Sequence, residues 1–256
     1  SKTDGVINDT LTTDTTMPGG LEVTFRAYDD NTCSNPVYVS DPIATTEGAN
    51  TVVDPDGFQP TEPGKYFWIA SLVRPSDGRE FFAGVCGDAN EMTTVYKITT
   101  TATPSMQLGG KVSDIATVSG DLPAGSSIRF NLYGPDDTNC SDTPIYTSDL
   151  IPTSDDKKEY NSEKVEPRDV GIHRWVEELV SDDDRTVLTR GECGKKEENS
   201  HIWNVSTTAL TDVEVGDKIY DTAKVSGSIP SGSKLRFKLY NSEDSNCQNV
   251  IWTSDT

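Results

Sequence analysis

The residues best suited to chemistry in this sequence are five cysteines. Cys33 and Cys86 are 53 residues apart, and Cys140 and Cys193 have the same separation. Equal spacing predicts two disulfides, Cys33–Cys86 and Cys140–Cys193, and leaves Cys247 unpaired, which we attribute to truncation of the chain before its partner. In the chain-entropy model, closing a loop of this size stabilises a domain by about 4 kcal/mol. Disulfides imply an oxidising compartment, and zinc is disfavoured because the sequence contains no C-x-x-C pair.

Other residue types give no catalytic pattern. His173 and His201 are the only histidines, and we interpret them as ordinary strand residues. Acidic groups such as 182–184 lie in predicted turns without the spacing of a calcium loop, so solvated turns are favoured and Ca²⁺ is the alternative. Glu177 and Glu178 are consecutive, and consecutive strand residues point to opposite faces, which argues against a paired-carboxylate hydrolase. We therefore expect neither an enzyme nor a bound cofactor.

Charge and hydropathy exclude two kinds of partner. The 256-residue chain carries 42 acidic and 22 basic residues, a net charge of −20. This charge repels nucleic acid and anionic membrane surfaces. No run of about 18 apolar residues is present, so no membrane contact is expected from these residues.

The elements that position the cysteines form an internal repeat with a period of about 107 residues. KVSDIATVSG at 111–120 returns as KIYDTAKVSG at 218–227, with six of ten positions identical. AGSSIRFNLYGPDDTNC at 124–140 returns as SGSKLRFKLYNSEDSNC at 231–247. The first third of the chain follows the same plan in a more diverged form.

Three units follow from this period. Residues 1–98 form the first unit, without its first strand, and residues 99–205 form the second. Residues 206–256 form the N-terminal part of a third unit. We expect the chain to be a fragment that is cut within a repeat at both ends. Threonine-rich segments at 99–103 and 206–209 are expected to join the units.

Alternating hydrophobicity predicts an all-β fold. In 21–28, Leu21, Val23, Phe25 and Ala27 share one face, while polar residues occupy the other. Turn residues separate the short strands, and only 174–180 suggests a helical turn. The pattern favours tandem β-sandwich repeats of immunoglobulin-like or prealbumin-like type, two topologies that the sequence does not separate.

The ordered motifs resemble repeat domains of Gram-positive, specifically actinobacterial, cell-surface adhesins. The motifs are I-T-T-T-A at 98–102, FNLYGPDD at 130–137, G-I-H-R-W at 171–175 and C-G-x-x-x-E at 86–91 and 193–198. The resemblance implies stalk domains that hold a binding tip away from a cell wall.

In a subset of similar repeats, a threonine–glutamine ester joins the first and last strands with help from acidic residues and a histidine. The resemblance places the corresponding positions at Thr100, Asp114, Glu177 (or its neighbour Glu178) and Glu198. Cys193 stands where the histidine is expected, and glutamate replaces the glutamine, so no ammonia can be lost. The sequence therefore favours the disulfide as the mechanical crosslink over an ester.

The expected function is a structural stalk or spacer of a secreted or cell-wall-anchored adhesin, located at the extracellular cell surface or cell wall. Its partners are the neighbouring repeats of the same chain, and a host protein or glycan would be bound through a distal domain. The alternative is a ligand-binding module in which loops at one end of a sandwich recognise a host protein or glycan.

Overall fold

The computed structural model describes residues 5–255. About 45% of the chain is β-strand, and the described residues contain no α-helix. The prediction of an all-β fold is therefore confirmed. A short 3₁₀ turn at Lys196–Glu198 is the one helical element of these residues.

The first unit contains two antiparallel sheets. A two-stranded sheet pairs β1 with β5, and a six-stranded sheet has the order β3-β2-β6-β7, with β4 added to β2 and β8 added to β6. The strands of the unit are β1 (Thr10–Thr12), β2 (Glu22–Tyr28), β3 (Tyr38–Val39), β4 (Ile43–Ala44), β5 (Thr51–Val53), β6 (Gly64–Arg74), β7 (Arg79–Ala83) and β8 (Met92–Val95).

The second unit repeats this plan with two added strands at its start, β9 and β10. A three-stranded sheet has the order β15-β11-β9. A larger sheet has the order β10-β18-β16-β12-β13, with β14 on β12 and β17 on β16. The strands are β9 (Lys97–Ala102), β10 (Ser105–Gln107), β11 (Asp114–Ser119), β12 (Ser126–Tyr133), β13 (Tyr146–Thr147), β14 (Ile151–Pro152), β15 (Glu159–Asn161), β16 (Gly171–Ser181), β17 (Val187–Arg190) and β18 (Asn199–Ala209).

The third unit has three strands: β19 (Asp221–Gly227), β20 (Lys238–Tyr240) and β21 (Val250–Thr253). β19 pairs with the second half of β18, and β20 pairs with β21. Its apolar positions are exposed where those of the second unit are buried. Leu235 is 43% exposed, for example, and its counterpart Ile128 is fully buried.

The alternation predicted for the first long strand is confirmed. Val23, Phe25 and Ala27 of β2 are completely buried, and Leu21 just before the strand is 6% exposed. β2 pairs with β6 over seven residues, so the buried face continues onto Trp68, which is 1% exposed. Period-2 alternation in this segment therefore corresponds to a sheet with one face on the core.

The helical turn suggested at 174–180 is wrong. The segment belongs to β16, which pairs with β12 from Arg174 to Ser181. Residues 175–180 are all buried, so side chains on both faces of β16 are covered. A strand buried on both faces loses its alternation and resembles an apolar helical segment in sequence.

In each of the first two units, side chains from both sheets contribute to one hydrophobic core. In the second unit, Ala116 of β11 and Tyr160 of β15 share a core with Phe130 of β12 and Trp175 of β16. All four side chains are completely buried. The threonine-rich segments expected to join the units lie instead within the sheets, as most of β9 and the end of β18.

Candidate functional site: disulfide clamp and buried carboxyl cluster

The first cysteine of each unit lies in the same turn. The backbone is left-handed at Cys33, Cys140 and Cys247, with φ of 48°, 51° and 49°. Non-glycine residues seldom adopt this conformation, so the surrounding structure must stabilise it. The conformation is present at Cys247 although this thiol is free and exposed.

An aspartate three residues before each cysteine shapes this turn. The Asp30 carboxylate accepts a hydrogen bond of 2.8 Å from the Thr32 amide, and the Asp137 carboxylate accepts one of 3.1 Å from the Ser141 amide. Asp244 occupies the same place before the third cysteine. The Thr32 hydroxyl also donates to Asp30 and holds the pKa of this carboxyl below its ordinary value. The sequence D-x-x-C therefore encodes a local frame for the cysteine.

Both disulfides that the spacing predicts are present in the structure. The Cα atoms of Cys33 and Cys86 are 5.9 Å apart, and those of Cys140 and Cys193 are 5.8 Å apart. These distances lie in the usual range for a disulfide. Each bridge connects the turn after one sheet strand (β2 or β12) with the loop after the hairpin strand β7 or β17. Equivalent elements are thus clamped in consecutive units.

The second bridge is supported by an ion-pair network. Arg190 donates to the Cys140 carbonyl at 2.8 Å and to the Tyr133 hydroxyl at 2.9 Å. Glu178 binds Arg129 at 2.7 Å and Arg190 at 3.3 Å. Glu178 thus links β12 to the disulfide, and it lies on the face of β16 opposite Glu177, as alternation predicts.

The positions suggested by the adhesin resemblance come together in the second unit. Thr100 lies on β9, Asp114 on β11, Glu177 on β16 and Glu198 at the end of the 3₁₀ turn. Their exposed fractions are 6%, 0%, 8% and 3%. We name these four residues the carboxyl cluster. Three of them line a cavity of about 480 Å³, and the Asp114 carboxyl interacts electrostatically with Glu177 and Glu198.

Burial dominates the electrostatics of Asp114. Desolvation raises the pKa of Asp114 from an ordinary value of 3.8 to about 7, although the Ile115 amide donates to this carboxyl at 2.9 Å and opposes the shift. The nearby charge of Glu177 raises the pKa further. Asp114 is therefore protonated in a large fraction of molecules at neutral pH.

Glu198 behaves in the same way. Burial raises the pKa of Glu198 from 4.5 to about 7, and a polar contact with the Thr100 hydroxyl opposes this shift. The charges of Glu177 and Asp114 raise the pKa, and Lys195 lowers it. Asp114 and Glu198 therefore both have a pKa of about 7 and interact electrostatically, which allows the carboxyl cluster to hold protons at physiological pH.

A glycine makes room for Glu177. A Cβ atom at Gly191 would lie 2.1 Å from Oε2 of Glu177, which is far inside van der Waals contact. The counterpart in the first unit, Gly84, would have its nearest neighbour, the amide nitrogen of Ala70, at 3.5 Å. Ala70 stands where the second unit has Glu177. The glycine is therefore sterically required only in the unit that carries the glutamate.

The first unit has a smaller version of the carboxyl cluster. Burial raises the pKa of Glu91 to about 6, and the charge of Asp9 adds to the shift. Burial also raises the pKa of Asp9. Asp54, which is 1% exposed, adds a third carboxylate and accepts a 3.2 Å hydrogen bond from the Tyr38 hydroxyl. Asp54 shares the buried face of Val52, two residues earlier, so the alternation of β5 in the sequence indicates its burial.

Two positions of the third unit correspond to members of the carboxyl cluster. Thr207 is exposed on β18, and Asp221 is half-buried on β19 in register with Ala209.

The histidine His173 and the acidic turn at 182–184, which the sequence also singled out, are held by burial and by hydrogen bonds within the protein. His173 is completely buried on β16, and burial lowers the pKa of its imidazole. In the acidic turn at 182–184, Asp182 accepts a 2.6 Å hydrogen bond from Ser127 and Asp184 accepts one of 3.1 Å from the Thr186 amide. No group of three or more His, Cys, Asp or Glu side chains in residues 5–255 is arranged to hold a metal ion. In the same range, no helix is long and apolar enough to cross a membrane.

Comparison with known proteins assigns no family. A scan against protein-family models and a search of curated proteins both find no match. The findings define an all-β protein with several antiparallel sheets and two disulfides, which indicate an oxidising environment.

Proposed function

We propose that the chain is part of the stalk of a secreted or cell-wall-anchored surface adhesin, built from tandem β-sandwich units of immunoglobulin-like or prealbumin-like type. Within this proposal, each unit is a mechanical spacer and a distal domain binds the host protein or glycan. The stalk is extracellular, at the cell surface or in the cell wall.

One observation carries the proposal: the same covalent clamp recurs at the same place in consecutive units. In each of the first two units the bridge closes a loop of 53 residues that contains the long strand β6 or β16. A pulling force transmitted along the chain bypasses that loop through the disulfide. Each bridge therefore withholds about 180 Å of extended chain, at roughly 3.4 Å per residue.

Single-molecule force spectroscopy on the 256-residue chain tests the proposal. We expect each of the first two units to lengthen by about 180 Å more in the reduced protein than in the oxidised protein. The matched control is the double variant Cys33→Ser/Cys86→Ser. Only the first unit should gain length in this variant, because the second bridge is intact. Equal extension of the reduced and oxidised chains would refute the mechanical role.

A second candidate function, ligand recognition by a sandwich end, is favoured by one exposed hairpin. Phe81 and Phe82 of β7 are 47% and 45% exposed. The guanidinium groups of Arg74 and Arg79 lie over the Phe81 ring at 5.4 Å and 5.0 Å. An aromatic ring next to cations suits a glycan or an acidic peptide. Glycan-array binding by the chain that is lost in Phe81→Ala would support this function, and no binding by the chain would dismiss it.

A further inference from the structure

The cores of neighbouring units are joined without a linker. Val95 is completely buried in the core of the first unit, and the next residue, Tyr96, is 5% exposed and belongs to the core of the second. The strand then continues as β9. At the second junction Ile202 is buried in the second core, and β18 runs unbroken into the third unit. No flexible residue therefore separates the units.

The register of the two junctions is the same. At the first junction, β8 pairs with β6 (Gly64↔Val95), and β9 then pairs with β11 (Lys97↔Ser119). At the second junction, β18 pairs first with β16 (Gly171↔Ile202) and then with β19. One extended segment thus contributes a strand to a sheet of each neighbour. The direction of that segment therefore constrains the orientation of a sheet in both units.

A glycine of the following unit presses against this shared strand at the first junction. Gly120 directly follows the last residue of β11 and has a φ of 80°. A Cβ atom there would lie 2.5 Å from the Val95 carbonyl oxygen and 3.1 Å from Cβ of Pro63. Both neighbours belong to the preceding unit, so any larger residue would push the units apart.

The second junction repeats this contact. Gly227 also has a φ of 80°. A Cβ atom there would lie 2.2 Å from the Ile202 carbonyl oxygen and 2.9 Å from Cβ of Val170. These residues correspond to the partners of Gly120, one repeat period further along the chain. The close approach is therefore a property of the repeat.

Polar contacts across the junctions are not repeated in this way. Lys65 and Asp121 form a half-exposed ion pair of 3.4 Å at the first junction. At the second, Nδ1 of His201 lies 2.9 Å from the Ser228 hydroxyl. An exposed ion pair contributes little to stability. The feature that both junctions share is the close contact between a glycine and a carbonyl oxygen of the preceding unit.

We propose that Gly120 and Gly227 fix the angle between consecutive units, and that the surface formed by the strand carbonyl and the residue before β6 or β16 is a docking surface for the next copy of the repeat. The inference rests on the proposed stalk function for its purpose, since a spacer with fixed joints projects its tip over a defined distance. Consecutive units then keep one orientation rather than bend independently.

Residual dipolar couplings of the 256-residue chain in a weakly aligning medium test the joint. We expect the first two units of the parent chain to fit a single alignment tensor. In Gly120→Ala we expect the common fit to be lost, while amide shifts remote from residues 63, 95 and 120 stay unchanged. The control is Gly125→Ala, because Gly125 also has a positive φ, of 68°, but no atom within 4 Å of a Cβ. This control carries the backbone strain of the substitution without the contact between units.

Each outcome decides the proposal. Separate alignment tensors for the two units of the parent chain would overturn it, and this result does not depend on how the variants fold. A common tensor retained in a folded Gly120→Ala variant would also overturn it. Neither result affects the expected extension of the reduced and oxidised chains under force. The experiments therefore distinguish refutation of the fixed angle between units from refutation of the stalk function.

Discussion

Replacing Asp114 by asparagine should remove a pH-dependent loss of stability from the second unit. The pKa of Asp114 is about 7 in the folded protein and has an ordinary value of 3.8. The folded state therefore binds more protons than the unfolded state between these values. Stability contributed by the protonated group is fully present below about pH 4 and is lost as the pH rises through about 7.

The magnitude follows from the shift. One pKa unit corresponds to about 1.4 kcal/mol, so a shift of about 3 units gives an upper limit of roughly 4 kcal/mol. Asparagine keeps the oxygen that accepts from the Ile115 amide at 2.9 Å and resembles the protonated acid. We expect Asp114→Asn to raise the free energy of unfolding of the second unit by about 2–4 kcal/mol at pH 8. The variant should change it little at pH 4.

Urea denaturation at pH values from 4 to 8, followed by tryptophan fluorescence, measures this effect. Trp175 is completely buried in the second core and reports on this unit. The first unit has its own titrating carboxyl, Glu91, so the quantity of interest is the difference between variant and parent at each pH. Asp136→Asn is the matched control, because Asp136 is an exposed acid of the same unit.

An equal difference between Asp114→Asn and the parent at pH 4 and pH 8 would refute the prediction, because it would mean that Asp114 is ionised in the folded protein without cost. An equal dependence on pH in Asp136→Asn would also refute it, because the effect would then not be specific to the buried carboxyl.

Two further substitutions test local packing. Gly191→Ala should destabilise the second unit by about 1–3 kcal/mol through overlap with Glu177, as measured by calorimetry, and the loss should largely disappear in the double variant with Glu177→Ala. The equivalent change Gly84→Ala should cost much less, because its nearest contact is 3.5 Å; an equal loss would refute the overlap. Ser148→Ala should cost about 1–3 kcal/mol in urea denaturation, since its hydroxyl accepts a 2.9 Å hydrogen bond from the buried amide of Phe130. An unchanged midpoint in that variant would show that the amide finds another partner.

Cysteine spacing and hydrophobic alternation carried most of the information that the sequence holds about this fold. The equal spacing of the cysteines predicted both disulfides, and alternation predicted the buried face of β2. Alternation was misleading at 174–180, where burial of β16 on both faces hides it. Composition was misleading at 99–103, because threonine is as suitable for a strand as for a connecting segment.

The properties of the candidate site were harder to predict from the sequence than the fold. The positions of Thr100, Asp114, Glu177 and Glu198 followed from a resemblance, but their electrostatics depend on desolvation, which requires the packed structure. Gly120 stood inside a visible sequence match between two units. Its role depends on contact with a backbone carbonyl oxygen of the preceding unit. Every residue has such an oxygen, so the sequence shows only the glycine and not its partner.

The regular spacing of the cysteines has a consequence for oxidative folding. Cys86 and Cys140, which belong to different units, are only one residue further apart than the members of a native pair. Loop-closure entropy therefore discriminates hardly at all between a correct bridge and a bridge between neighbouring units. Selection must come from the fold, through the D-x-x-C turn and the hairpin that brings the second cysteine to it. A newly synthesised chain must form each sheet before its thiols are oxidised, and rapid oxidation of the unfolded chain should join cysteines of neighbouring units in the wrong pairs.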